Sequence, residues 1–365
     1  MSCDYLALTH AGIQALHPYQ PGKPVEELER ELGLTDIIKL ASNENPNGPS
    51  AAVLQALAAA GKSLSLYPDG NGFVLKQALQ KKLKINAAHI TLGNGSNDLL
   101  DLLARVFSGP GKEVLFSQFA FAVYPIVAQA CNAVPVSVPA SEWGHDLEAM
   151  AAAVSDRTSL IFLANPNNPT GTYFGRTAFE TFMAKIPARV IVVLDEAYFE
   201  YVQKADYPDG MSYLEAYPNL VVVRTFSKAY GLAGLRVGYS VSSKKIADLL
   251  NRVRQPFNVN SVALVAATAA LDDETYLQHS VLMNHQGLKQ MIQGLQRLGL
   301  SFIPSVGNFI TVNFMKDAAA INQRLLERGL IVRPIANYAM PNFLRISIGL
   351  PAENERFLAA LVDCI

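Results

Sequence analysis

Three cysteines in 365 residues, Cys3, Cys131 and Cys364, are too few and too scattered to build a disulfide scaffold. No CxxC pair and no His/Cys spacing of the zinc type occurs, so no structural metal is signalled either. Odd, unpaired cysteines fit a reducing compartment, and the expectation is a cytoplasmic protein. The chain also lacks an excess of one charge, with 30 Lys and Arg against 31 Asp and Glu. That balance offers no field to nucleic acid or to an anionic membrane, and neither is expected as a partner. The densest basic cluster, Lys81, Lys82 and Lys84, reads as the solvated face of a helix. No apolar window is long enough and free enough of charge and proline to predict a transmembrane helix. The start, MSCDYLALTH, has no basic region ahead of an apolar core, which predicts no signal peptide. No internal repeat is visible.

What the chain has in quantity is apolar residues, half of the total. At this length they support more than one core, so two domains are expected. The middle of the chain alternates strand and helix signals. Short β-branched runs (Ile90–Leu92, Val114–Phe116, Val134–Val138, Leu160–Leu163, Val190–Leu194, Leu220–Val223) are separated by helical periodicities. This βα alternation predicts an α/β fold with a mostly parallel sheet covered by helices. A proline inside the helical pattern at 122–130 predicts an interruption at Pro125. From Asn260 the texture changes to two helices, then strands at 308–314 and 343–348 with helices between and after them. The expected division is an N-terminal arm and helix over 1–35, a large domain over 36–259 and a smaller α+β domain over 260–365.

The chemistry collects where the buried strands end. Residues 220–238, LVVVRTFSKAYGLAGLRVG, put Lys228 just past an apolar strand, the position at which open α/β sheets bind ligands. Thr225 and Ser227 before it and Arg236 after it make an anion pocket. GNGSND at 93–98 feeds small polar residues into a helix start, whose free N–H groups can seat a phosphate. That turn has neither the Gly-Lys-Ser/Thr of a P-loop nor the third glycine of a dinucleotide fingerprint, which leaves a nicotinamide dehydrogenase the weakest enzyme reading. Asp195 follows four apolar residues and would be costly to bury without a cationic partner. A cofactor with a ring cation, a phosphate and an aldehyde would occupy Asp195, Arg236 and Lys228 together, and pyridoxal phosphate is such a cofactor.

ANPNNPTG (164–171), DEAYFEY (195–201), TFSKAYGLAGLRVG (225–238) and RPIANYAMPNFLRISIG (333–349) together resemble class II of the fold-type-I, pyridoxal-phosphate-dependent aminotransferases. PYQPGKP (18–24), LASNENPNGPS (40–50), LYPDG (66–70) and GNGSND extend the resemblance to nearly the whole chain. It implies a large domain with a seven-stranded-type sheet, a homodimer with a shared site, and small amino-acid, keto-acid and phosphorylated substrates. Lys228 is implied as the covalent anchor of the cofactor's aldehyde and the base that moves a proton between Cα and C4′. Asp195 would hold the ring nitrogen protonated, and Tyr198 and Asn168 would bond the 3′-oxygen. Gly95, Ser96, Asn97, Thr225, Ser227 and Arg236 would take the phosphate, with Phe121 stacked on the ring. Tyr67 would reach the neighbouring subunit's phosphate. Arg345 would fork the substrate's α-carboxylate or its equivalent, and Tyr19, Asn43 and Arg333 would line the far end of the substrate, with Asn168 also in contact. Two departures stand out: Asn97 where many relatives carry an acid, and the segment Phe119-Ala120-Phe121-Ala122, which lacks a proline and a polar residue often found there. A decarboxylase of the same fold, an aminotransferase for aromatic amino acids and a module that binds the cofactor without turnover are the alternatives.

Overall fold

The computed structural model describes residues 3–365. Its centre is a seven-stranded sheet. In chain order the strands are β2 (Ile90–Gly93), β3 (Glu113–Ser117), β4 (Val134–Val138), β5 (Thr158–Ala164), β6 (Ile191–Asp195), β7 (Leu220–Thr225) and β8 (Gly238–Ser242), following a short β1 (Ile38–Lys39) outside it. The spatial order is β2-β8-β7-β6-β5-β3-β4. Only β8 runs against the rest, lying antiparallel to both β2 and β7. The apolar runs are explained by burial on both faces, with a period of two deciding which side each residue serves. Leu160, Phe162, Val193 and Val221 pack under the helices Ser96–Phe107, Val123–Ala130 and Lys244–Val253. Ile161, Leu163, Val192 and Val222 pack under Leu147–Ala152 and Arg176–Lys185 on the opposite face.

A second sheet of four antiparallel strands has the order β12-β13-β10-β9, formed by β9 (Ser301–Ile303), β10 (Phe309–Asn313), β12 (Arg333–Pro334) and β13 (Phe343–Ser347). The helices Glu274–Arg297, Ala319–Glu327 and Pro351–Val362 bury Leu288, Met291, Leu325 and Phe357 against it. Glu274–Arg297 is 24 residues long, about 36 Å at 1.5 Å per residue. Its Leu277 belongs to the core beside the large sheet and its Leu295 to the core of the small one, so it ties the two layers together.

Several elements depart from the sequence expectations. The 122–130 helix is uninterrupted at Val123–Ala130, because Pro125 sits in its first turn, where no i−4 bond is lost. β8 and the helix Lys244–Val253 were not anticipated. β1, expected in the 36–259 unit, pairs parallel with β11 (Leu330–Ile331), next to the small sheet. The helix Ser261–Asp272, expected in the C-terminal unit, packs Ala263, Ala266 and Ala267 into the core with Leu75, Leu79 and Leu92. Its alanines allow close helix approach, and that contact decides its side.

Candidate active site

The carboxyl ends of β5, β6 and β7, the turn after β2 and the entry to β8 open onto one cavity of about 210 Å³. The small sheet closes it from the far side through Arg333 and Arg345. Because β8 runs in reverse, its start lies at the same sheet edge as the others' ends, and this brings Arg236 to the site. Arg236 has a left-handed backbone, as does Asn43 (φ 57° and 53°). Such φ values are uncommon for residues with a Cβ, and two of them here mark a cavity whose shape is fixed by its surroundings.

Lys228 points into the cavity and donates from Nζ to the Ser42 carbonyl at 3.0 Å. Burial first, then the nearby Arg345 and Arg236 cations, push its amine down to about 7. Asp195 ends β6 with its carboxylate buried. Tyr124 donates its hydroxyl to Oδ2 at 3.0 Å and the Ala197 N–H donates to Oδ1 at 3.2 Å. Burial lifts this acid to about 6, against the opposing pull of Tyr124 and Ala197. It has no salt-bridge partner among the described residues.

At the β2 end the helix Ser96–Phe107 starts with Ser96 and Asn97 facing the cavity. Its cap is Gly95, with φ 80°. A Cβ there would lie 2.4 Å from Arg236 Nη2, so glycine is what lets the guanidinium lie across the helix start. Arg236 Nη1 in turn donates to Ser227 Oγ at 3.3 Å, and the Ser227 N–H donates to Thr225 Oγ1 at 3.1 Å. Free N–H groups, two hydroxyls and a guanidinium converge there, a ready seat for a phosphate.

The opposite wall is held by bonds between residues far apart in the chain. Asn43 donates from Nδ2 to the Tyr198 hydroxyl at 2.9 Å. Burial raises that phenol to about 12, with Arg345 opposing. Arg345 donates to Asn168 Oδ1 at 2.5 Å and to the Ala41 carbonyl at 2.6 Å, while its buried Nε has no partner among the described residues. Arg333 donates to the Gln20 carbonyl at 2.6 Å and stands 5.9 Å from the centre of the Tyr19 ring. Arg333 and Arg345 are direct cross-strand neighbours in β12 and β13.

Of the site residues expected from sequence, Tyr19, Asn43, Ser96, Asn97, Phe121, Asn168, Asp195, Tyr198, Thr225, Ser227, Lys228, Arg236, Arg333 and Arg345 line this one cavity. Gly95 stands one residue behind it, against Arg236. Tyr67 does not line it: the ring is 83% exposed and stacks on Phe257 at 4.9 Å. Tyr124 and Ser42 were missed. Tyr124 lies one helical turn after Phe121 and stacks on Phe162 at 4.6 Å. Its signal in the sequence is the i, i+3 spacing from Phe121, which the expected interruption at Pro125 obscures. Ser42 contributes a carbonyl, which no side-chain pattern reports.

Pyridoxal phosphate fits this residue set. The buried Asp195 lacks a cation, Arg236 with the helix start offers an anion seat, and an amine near neutrality stands between them. A lysine-anchored, carboxylate-backed cleft at the strand ends of such a fold defines an aminotransferase-type site. Residues 35–361 match the family described as aminotransferase class I and II, and the chain belongs to that family. It is 59% identical over 360 residues to histidinol-phosphate aminotransferase 2 of Pseudomonas aeruginosa, covering 98% of each chain. Against histidinol-phosphate aminotransferase 1 of Mannheimia succiniciproducens the identity is 52%, with 99% of each covered. Among solved structures it is similar to histidinol-phosphate aminotransferase from Sinorhizobium meliloti in complex with pyridoxal-5′-phosphate. That match has a TM-score of 0.90 at 32% identity and covers 98% of this chain and 97% of the other.

Proposed function

We propose that this chain is a pyridoxal-phosphate-dependent transaminase. It exchanges an amino group between histidinol phosphate or imidazole acetol phosphate and glutamate or 2-oxoglutarate in histidine biosynthesis, in the cytoplasm. The observation that carries the substrate class is the pair Arg333 and Arg345. Like charges placed directly opposite on neighbouring strands are destabilising, and here they face one cavity with the Arg345 Nε still unpartnered. An anionic group between them relieves both costs. Arg236 and the Ser96 helix start supply a separate anion seat, so the cavity accommodates the phosphate of a cofactor and that of a substrate.

Bound pyridoxal phosphate supplies an aldehyde for the amine and a protonated ring that accepts the electron pair left at Cα. Asp195, ionised above about pH 6, keeps the ring nitrogen protonated. Lys228 Nζ, near neutrality and held toward Ser42, would take the proton from Cα and return it at C4′. Asn168 and Tyr198 would bond the ring's 3′-oxygen, and each is held by a residue of the opposite wall, Arg345 and Asn43 respectively. The domains proposed are 1–35, 36–259 and 260–365, with β1 and the helix Ser261–Asp272 packing across those bounds. The protein works as a homodimer in which Tyr67, exposed on its own subunit, completes the partner's site.

The test is competition among imidazole acetol phosphate, phenylpyruvate and threonine phosphate with purified protein. Preference for the first is expected. Preference for phenylpyruvate would make the chain an aromatic transaminase, and carbon dioxide release from threonine phosphate a decarboxylase. Lys228→Ala should abolish turnover; multiple turnovers in that variant would end the assignment.

A further inference from the structure

Behind the catalytic strand ends lies a second groove of about 500 Å³, a volume suited to a small molecule. Its walls come from the residues adjoining the active site: Phe199 and Glu200 after Tyr198, Arg224 before Thr225, and Tyr230 after Lys228. Every other charge on it is already paired. Lys82 meets Glu274 at 2.9 Å, and Arg224 meets both Glu196 and Asp209 at 2.7 Å. Glu200 forms no salt bridge among the described residues, and its buried Oε2 has no hydrogen-bond partner. Burial pushes its carboxyl up to about 7, with Arg224 opposing.

The groove's chemistry favours positive charge. Glu200 and Glu274 line it beside Lys82 and Arg224, and Glu196 and Asp209 stand behind Arg224 and neutralise it, which leaves Glu200 without a counter-charge. The aromatic faces already carry cations: Arg224 lies 3.4 Å above the Phe199 ring, and Lys82 Nζ stands 6.0 Å from the centre of Tyr230. Leu277 and Val281 supply apolar surface beside them. A metal ion would need several free oxygen ligands, and no group of three or more His, Cys, Asp or Glu able to hold one occurs among the described residues.

We infer that this groove is a second ligand site for a small organic cation on an apolar body, with the Glu200 carboxylate as its counter-ion. It does not depend on the assignment of the catalytic reaction. The probe is one that cannot condense with an aldehyde, benzyltrimethylammonium, titrated calorimetrically into the holoenzyme, with benzoate as the anionic control. Saturable binding of the cation and none of benzoate is expected. Glu200→Gln, which keeps the shape and removes the charge, should weaken it at least tenfold. Gln278→Lys, which places a tethered ammonium on the exposed rim of the groove, should abolish it while the fold and the transaminase half-reactions persist. Absence of binding to the folded holoenzyme, or binding that both variants leave within twofold, overturns the proposal.

Discussion

Replacing Arg345 isolates the group that joins the small sheet to the chemistry. Its Nη1 and Nη2 hold Asn168 and the Ala41 carbonyl, and its Nε has no partner among the described residues. An anionic substrate group bound there would meet a guanidinium already fixed in place, which would lower the entropy lost on binding. A hydrogen bond to a charged group contributes about 1.5–3 kcal/mol. Arg345→Ala removes about two such bonds to substrate, and the expected loss is about 3–6 kcal/mol, or roughly 10²–10⁴ in kcat/KM. Arg345→Lys keeps the charge but not the fork, and should lose about one bond, roughly ten- to a hundredfold. The assay is single-turnover absorbance of the cofactor in each half-reaction, with glutamate and with histidinol phosphate, beside a thermal melt to verify folding. Arg333→Ala, which leaves the Asn168 contact intact, should impair the phosphorylated substrate more than glutamate. A folded Arg345→Ala enzyme that loses less than about tenfold in both half-reactions would refute the anion-fork reasoning.

Two further predictions rest on the carboxylate and the amine. Tyr124→Phe deletes the hydroxyl donor to buried Asp195 and should cost about 1.5–3 kcal/mol in urea unfolding, while raising the pH at which cofactor affinity falls; a cost under about 0.5 kcal/mol would show that Asp195 does not depend on it. Lys228 is depressed from 10.5 to about 7 in the fold, so between those values the unfolded chain binds more protons than the folded one. Stability of the cofactor-free protein should consequently rise with pH across that window and be lost toward pH 7. Lys228→Met, being uncharged, should be the more stable form at pH 7, with the gap closing as pH rises; a gap independent of pH would contradict the burial of this amine.

Much of the site was legible because its residues stand at strand ends, and strand ends are marked in sequence by apolar runs breaking into polar ones. Asp195 after Ile191–Leu194 and Lys228 after the run Leu220–Val223 are local events. Arg345 was visible for the opposite reason, as a charge set within an apolar strand whose neighbours are all buried. β8 was not visible: Gly238–Ser242 (GYSVS) is short and half polar, and it becomes a strand because β2 and β7 leave a slot between them.

By itself the sequence determined the βα alternation, the polar turns that follow each buried strand and the helix start at Ser96, all set by neighbouring residues through periodicity and backbone preference. Tertiary structure alone decided which distant groups meet. Asn43 reaches Tyr198 and Arg345 reaches Asn168, 155 and 177 residues apart. Tyr124 meets Asp195, and Arg236 arrives through a reversed strand. The physical reason is that such pairs are selected by burial: a polar group taken out of water needs whichever partner the packing of two sheets presents to it, and no local pattern encodes that choice.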